Sequence, residues 1–189
     1  MTDLHVTTET TIDGAAVELF HNLYEEAFGP LRTRAAARQV LHREEFIAEM
    51  SDPRVLKYVA RTGDGAPVGV TTLTKELETV PWISPEYFLA RYPDHAARDA
   101  IYYAGFTLVA PSTRQGAAFH VMIESVVQVL VAERAAVGWD ICSYNNTRFS
   151  FADGIRAVLE EQADVAVAVE DSQTYYAARF FGTGAMKGG

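Results

Sequence analysis

Cysteine is nearly missing from this chain: Cys142 stands alone among 189 residues. One thiol closes no disulfide within the chain, so a disulfide-stapled scaffold is excluded. A reducing compartment fits that usage, and the expected location is the cytoplasm. Long apolar runs are missing too. No stretch approaches the roughly 20 residues that a membrane-spanning helix needs, so no membrane partner is expected. The opening MTDLHVTTET lacks both a basic start and an apolar run, and no signal peptide is expected there. Basic residues are outnumbered, 16 against 25 acidic, for a formal charge of −9. That balance argues against a nucleic-acid partner, because phosphate backbones are gripped by basic faces. It leaves room for a local pocket around one phosphorylated cofactor. The five histidines, at 5, 21, 42, 95 and 120, have no metal-ligand spacing, and no metal site is expected. There is no internal repeat.

Half of the chain, 49%, is hydrophobic, enough for a sizeable core, and charged residues are an ordinary 22%. The length suits one domain, expected over 1–182, with an aromatic-rich insertion at 77–98 and a disordered tail at 183–189. Residues 4–12 alternate and carry β-branched side chains, as a strand does. Asp13 is placed to cap a helix over 14–28, whose stripe is Val17, Phe20, Leu23, Tyr24 and Phe28. A second helical region is expected over 33–50, stopped by Asp52-Pro53. The runs 54–62 and 66–76 read as strands joined by the turn GDGA. Ser84-Pro85-Glu86 marks a short helix at 85–91. Residues 101–110 form a nearly continuous apolar strand, expected at the sheet centre. A long helix follows, closing at Gly138, then a central strand at 139–144 and a helix near 150–161. Runs 164–169 and 173–181 read as a last hairpin. About seven strands and four helices in this order imply an α/β fold of the α+β kind, with a mixed sheet.

The most informative stretch is FTLVAPSTRQGAAFHV, 106–121. A central strand ends at Pro111, and a short polar loop opens a long helix. Such a junction presents unpaired N–H groups and the positive end of the helix dipole, where a phosphate fits. Gly116, Ala117 and Ala118 keep the backbone approachable, and Arg114 offers a charge-assisted contact.

With its order of elements, this stretch resembles the GNAT acyltransferase superfamily. The family motif runs roughly V-x-P-x-x-R-x-x-G-x-G/A, and Val109, Pro111 and Arg114 match its first part. Gly116 sits one place early, and Ala117 and Ala118 stand where glycine is frequent. In the shifted register Gly116 and Ala118 fit G-x-A, and Thr113 then replaces the Arg or Gln. The resemblance implies splayed central strands with a pantetheine cleft between them, and the backbone of 106–110 as a partner for the pantetheine amides. It implies acetyl-CoA or another acyl-CoA as donor, held at Val109, Arg114, Gln115, Gly116, Ala117 and Ala118. Asn145 and Asn146 stand where an asparagine commonly meets the cofactor arm, although a paired Asn equally makes a turn.

The implied function is acyl-CoA-dependent N-acylation of a small-molecule acceptor. Transfer to an amine needs a base for its proton and an acid for the leaving thiolate. Neither stands where the family places it: 101–110 has no carboxylate, and the helix near 150–161 has no tyrosine. Glu76 is the substitute base, and Tyr144 or Tyr175 the substitute acid. Each has a plain alternative, edge solvation for Glu76 and packing for the tyrosines. Cys142 is read as a structural thiol. Trp82, Tyr87 and Phe88 in the insertion, with Tyr103, are the expected walls of an acceptor pocket; the alternative is a satellite cluster that anchors the loop. Two other readings stay open. One is transfer from an acyl carrier protein, as in N-acyl amino acid and acyl-homoserine-lactone synthases, with docking near Arg114, Arg148 and Arg156. The other is a GNAT-shaped ligand-binding protein without catalysis. A homodimer is compatible with either.

Overall fold

The computed structural model describes residues 4–111 and 115–182. Its sheet is mixed and five-stranded, in the order β1-β2-β3-β4-β5. The strands are β1 (Leu4–Glu9), β2 (Val55–Thr62), β3 (Pro67–Thr74), β4 (Ile101–Val109) and β5 (Ala136–Gly138). The first four pair antiparallel, each with its neighbour, and β5 runs parallel to β4. Parallel strands need a crossover, and α5 (Gln115–Ala132) supplies it.

Helices cover both faces. On one lie α1 (Gly14–Phe28) and α2 (Arg43–Ser51), joined through a 3-10 turn at Gly29–Thr33. Phe20, Tyr24, Phe46 and Met50 from this layer are buried against Val59, Val70 and Leu108 of the sheet. On the other face α5 buries Ala118 and Met122 against Ala60, and Val126 against Tyr58, Leu73 and Tyr102. Between β3 and β4 run a 3-10 turn (Leu77–Thr79), α3 (Pro85–Arg91) and α4 (Pro93–Ala96). Here the Ser84 hydroxyl accepts the Tyr87 N–H, as the Ser-Pro-Glu signal implies. This segment packs Ile83, Phe88 and Tyr92 onto Leu77, Val80, Ile101 and Tyr103.

The element that positions the site is an irregularity in β4. Thr71 pairs with Thr107 but Leu73 pairs with Ala104, so Gly105 and Phe106 together oppose Thr72. This is a β-bulge. Its effect shows in the packing. Ala104 belongs to the α5 side of the sheet, and Phe106, only two residues on, packs on the α1/α2 side. A regular strand would leave both on one face. Phe106 thereby meets Tyr24 and Phe46 with ring centroids 5.1 and 5.5 Å away. Glycine is required at 105, because a β-carbon there would overlap Thr72 Oγ1.

The structure corrects several expectations. Among the described residues there are five strands and seven α-helices, where about seven and four are expected. Asp13 occupies the N-cap position of α1, but its side chain makes no cap bond. Helix α5 ends at Ala132, six residues before Gly138. Arg134 adopts a left-handed φ of 48°. Its N–H donates to Val131 O at 3.1 Å, and the Ala135 N–H to Leu130 O at 2.8 Å. That is a Schellman ending without its usual glycine, and the Arg98 guanidinium adds bonds to the Glu133 and Arg134 carbonyls. The fifth strand consequently falls at Ala136–Gly138, not at 139–144, and Ser143–Phe149 is helix α6. The helix expected near 150–161 is α7 (Phe151–Gln162). Residues 163–182 contain no strand. A three-residue β5 offers little edge for a hairpin to pair with. Their Glu170 is held instead by the Arg91 guanidinium at 2.8 Å and the Tyr92 hydroxyl at 2.8 Å. The tail at 183–189 lies outside the described residues.

Gly105→Ala is expected to destabilise the protein by about 1–3 kcal/mol through overpacking at the bulge. In a Thr72→Ala background the same change should cost less. Urea unfolding of the four variants in a double-mutant cycle measures the coupling.

Candidate active site

Past Tyr103, just before the bulge, β4 loses its β5 neighbour. Its pairing with β5 consists of Ile101↔Ala136, Tyr102↔Val137 and Tyr103↔Gly138, and the ladder stops there. From Ala104 to Val109 no strand pairs the β5-side edge of β4 among the described residues. The chain after β5 turns away into α6, and its Cys142 and Tyr144 pack on the core that holds Phe106. Gly138 marks the parting point. A β-carbon there would come 2.7 Å from the Phe88 ring and 3.0 Å from the Tyr103 ring, so glycine lets the insertion wedge in. The open edge is six residues long from Gly105 to Ala110, five steps or roughly 16 Å at strand rise. It ends where α5 begins, beyond Pro111.

At the Gly105 end of this edge lies a small pocket of roughly 20 Å³, room for about one water. Glu49 from α2, Thr72 from β3, Tyr103 and Gly105 from β4, and Trp82 from the insertion are among its walls. Helix α2 is short, and Phe46 and Met50 face the sheet. Glu49 shares that face, since residues three apart on a helix are neighbours. Its Oε1 accepts a hydrogen bond from Thr72 Oγ1 at 3.3 Å. Burial pushes the Glu49 carboxyl up to about 7, opposed by the Thr72 bond and the charge of Lys57. Lys57, itself fully buried, donates to Thr10 O at 3.0 Å and Asp52 O at 2.7 Å. Burial lowers its ammonium to about 8.

Across the pocket, the Tyr103 hydroxyl donates to Asp140 Oδ1 at 2.5 Å, and Trp82 Nε1 donates to the same oxygen at 3.0 Å. Burial, with Asp140 beside it, holds the Tyr103 phenol well above its ordinary range. These bonds fasten the insertion to the segment that follows β5.

The residues singled out in the sequence are scattered by the fold. Trp82 and Tyr103 line the pocket. Tyr87 points to Glu170, donating to its backbone carbonyl at 3.1 Å, and Phe88 sits edge-on to Tyr103. Glu76 has an exposed side chain and is not among the pocket walls. Tyr144 is half-buried under Arg34, whose guanidinium lies 5.3 Å from the ring. Tyr175 is exposed in the strand-free segment. Gly116 and Ala117 are exposed in the first turn of α5, and Ala118 is buried against the sheet as packing. Val109 packs on that same cluster. Asn146 accepts the Ala152 N–H at 3.1 Å, at the start of α7, and Asn145 is half-buried. Thr113 and Arg114 lie outside the described residues, as does the side chain of Gln115. Glu49 is the member that sequence reasoning missed. Its signal was present, a carboxylate on the same helical face as Phe46 and Met50.

No protein-family model matches the chain, and no curated protein matches it. Solved structures do. A tetramutant of the BH1408 protein from Bacillus halodurans is 13% identical, over 92% of this chain and 99% of that one, with a TM-score of 0.57. The integron cassette protein VCH_CASS6 from the mobile metagenome of V. cholerae is 16% identical, over 95% and 93%, with a TM-score of 0.50. The aminoglycoside N-acetyltransferase AAC(6')-Iy in complex with CoA is 12% identical, over 92% and 97%, at 0.48. At these identities the likeness is one of fold. No helix among the described residues is long and apolar enough to cross a membrane.

Glu49 also sets a pH dependence of stability. Its folded-state value of about 7 lies above the ordinary 4.5, so the folded protein keeps this proton where the unfolded chain releases it. The corresponding stability is full below the unfolded value and is lost as pH rises through about 7. A shift of this size amounts to the order of 3 kcal/mol. Glu49→Gln is neutral at every pH. It should match the wild type in urea unfolding at acid pH and exceed its stability at alkaline pH.

Proposed function

We propose that the protein is an acyl-CoA-dependent acyltransferase that moves an acyl group directly from the thioester to the amine of a small-molecule acceptor. The observation that carries this reading is the open β4 edge. Unpaired strand backbone accepts an extended, amide-bearing chain as an added strand. Pantetheine is such a chain. With the CoA phosphates at the start of α5, the arm runs back from Ala110 toward Gly105 and brings the thioester to the bulge. Arg114 immediately precedes that helix in the sequence, and Gln115, Gly116 and Ala117 open it. They offer a guanidinium, backbone N–H groups and little steric bulk to a pyrophosphate. The pocket beside Gly105 then receives the amine end of the acceptor. Trp82 of the insertion forms its outer wall. The GNAT-like fold supports the same arrangement.

Two measurements test the reading. CoA binding only to the folded protein must raise its melting temperature, by about 2.7 kcal/mol of stability at a hundredfold excess over Kd. No shift at millimolar CoA contradicts the proposal. Arg114→Ala should weaken CoA binding by about 1.5–3 kcal/mol in calorimetry, the worth of a hydrogen bond to a charged group. Unchanged affinity would leave the phosphates to the backbone alone.

A further inference from the structure

The acyltransferase reading leaves one proton unassigned, because Glu76, the substitute base of the sequence, is not among the pocket walls. The pocket itself contains a carboxylate. Glu49 Oε1 is fixed by Thr72, the residue the bulge opposes. A β-carbon built on Gly105 would stand 3.7 Å from that oxygen, so the carboxylate and the head of the open β4 edge are immediate neighbours. Gly105 is exposed, and the side chain beside it on the Glu49 side is Thr72, whose hydroxyl links the strand to the carboxylate. The pocket admits only the amine end of an acceptor, and the exposed ring of Trp82 at its wall offers an apolar surface to the body of that molecule. Asp140, the other carboxylate nearby, already accepts from Tyr103 and Trp82.

We propose that Glu49 is the general base of the transfer, and that its acceptor is a small primary amine with an apolar body. This inference rests on the acyltransferase reading. The amine nitrogen attacks the thioester carbonyl carbon at Gly105, forming the C–N bond, and gives its proton to the Glu49 carboxylate. The C–S bond breaks, and the thiolate departs with the electron pair. Solvent protonates the thiolate, and Glu49 returns its proton to solvent. Amine and acyl-CoA thus become amide and free CoA thiol. A base works best with a pKa near the working pH, which burial provides here. The charged and titratable groups facing Glu49 are Lys57 on β2, Asp52 at the end of α2 and Tyr24 on α1. Lys57 favours the carboxylate, and Asp52 opposes it.

The test uses acetyl-CoA and phenethylamine, with N-acetylphenethylamine followed by mass spectrometry and CoA affinity by calorimetry. Glu49→Gln should lower kcat by about 10²–10⁴-fold, the usual reach of a general base, and leave CoA affinity within about twofold. The wild-type rate should rise with pH through a midpoint near 7, and Glu49→Gln should lose that limb. Glu49→Asp, which keeps the carboxylate but withdraws it, should retain the limb at an intermediate rate. If CoA binds both proteins and Glu49→Gln stays within about threefold of the wild type, Glu49 is not the base. Wild-type protein that binds CoA but leaves phenethylamine unacylated overturns the apolar amine as acceptor. Absence of CoA binding by the wild type overturns the acyltransferase reading, and this inference with it.

Discussion

One extra residue in β4 governs the architecture of the site. Because Gly105 and Phe106 both stand opposite Thr72, everything beyond them on the strand is shifted by one relative to β3. Side chains alternate along a strand, so this shift exchanges faces. Phe106 moves under α1 and α2, where it completes an aromatic group with Tyr24, Phe28 and Phe46. The bulge also bends the strand that bears it. Glycine at 105 and threonine at 72 are mutually fitted: the hydroxyl occupies the space a side chain at 105 would fill, and it is that hydroxyl which donates to Glu49.

The second constraint is the shortness of β5. Its three residues pair only with the start of β4, and Gly138 admits Phe88 where a fourth pair would form. The insertion is thus both anchor and wedge. Its aromatic rings pack beneath it as a satellite core with Leu77, Val80, Ile101 and Tyr103, and Trp82 reaches over to Asp140. The two readings weighed for this segment in the sequence, packing and pocket wall, describe different residues of it. Phe88 and Tyr92 pack. Trp82, 50% exposed, borders the pocket.

Local signals in the sequence were reliable where the residue type itself dictates the backbone. The turn GDGA, the Ser-Pro-Glu cap and the α1 stripe all correspond to observed elements. Signals failed where tertiary contacts decide. Arg134 ends α5 in a left-handed conformation that composition does not announce, and Arg98 from a distant loop secures it. The alternating residues 164–169 had strand character but no edge to join. Legibility of the site was divided in the same way. The strand, loop and helix at 101–132 could be read along the chain, because the order of elements is local. The pocket could not, because Glu49, Thr72, Trp82 and Gly105 come from four separate elements. The bulge that assembles them shows in the sequence only as a glycine within an apolar strand.

The central claim is that the free edge of β4 receives the pantetheine arm of CoA as an added strand. Amide hydrogen exchange, followed residue by residue by NMR with and without CoA, tests it most directly. Amides between Ala104 and Ala110 that do not bond to β3 should exchange more slowly when CoA is bound, while those of the outer strand β1 stay as they were. CoA binding that leaves the β4 amides unprotected, or protects another part of the protein instead, would contradict the account.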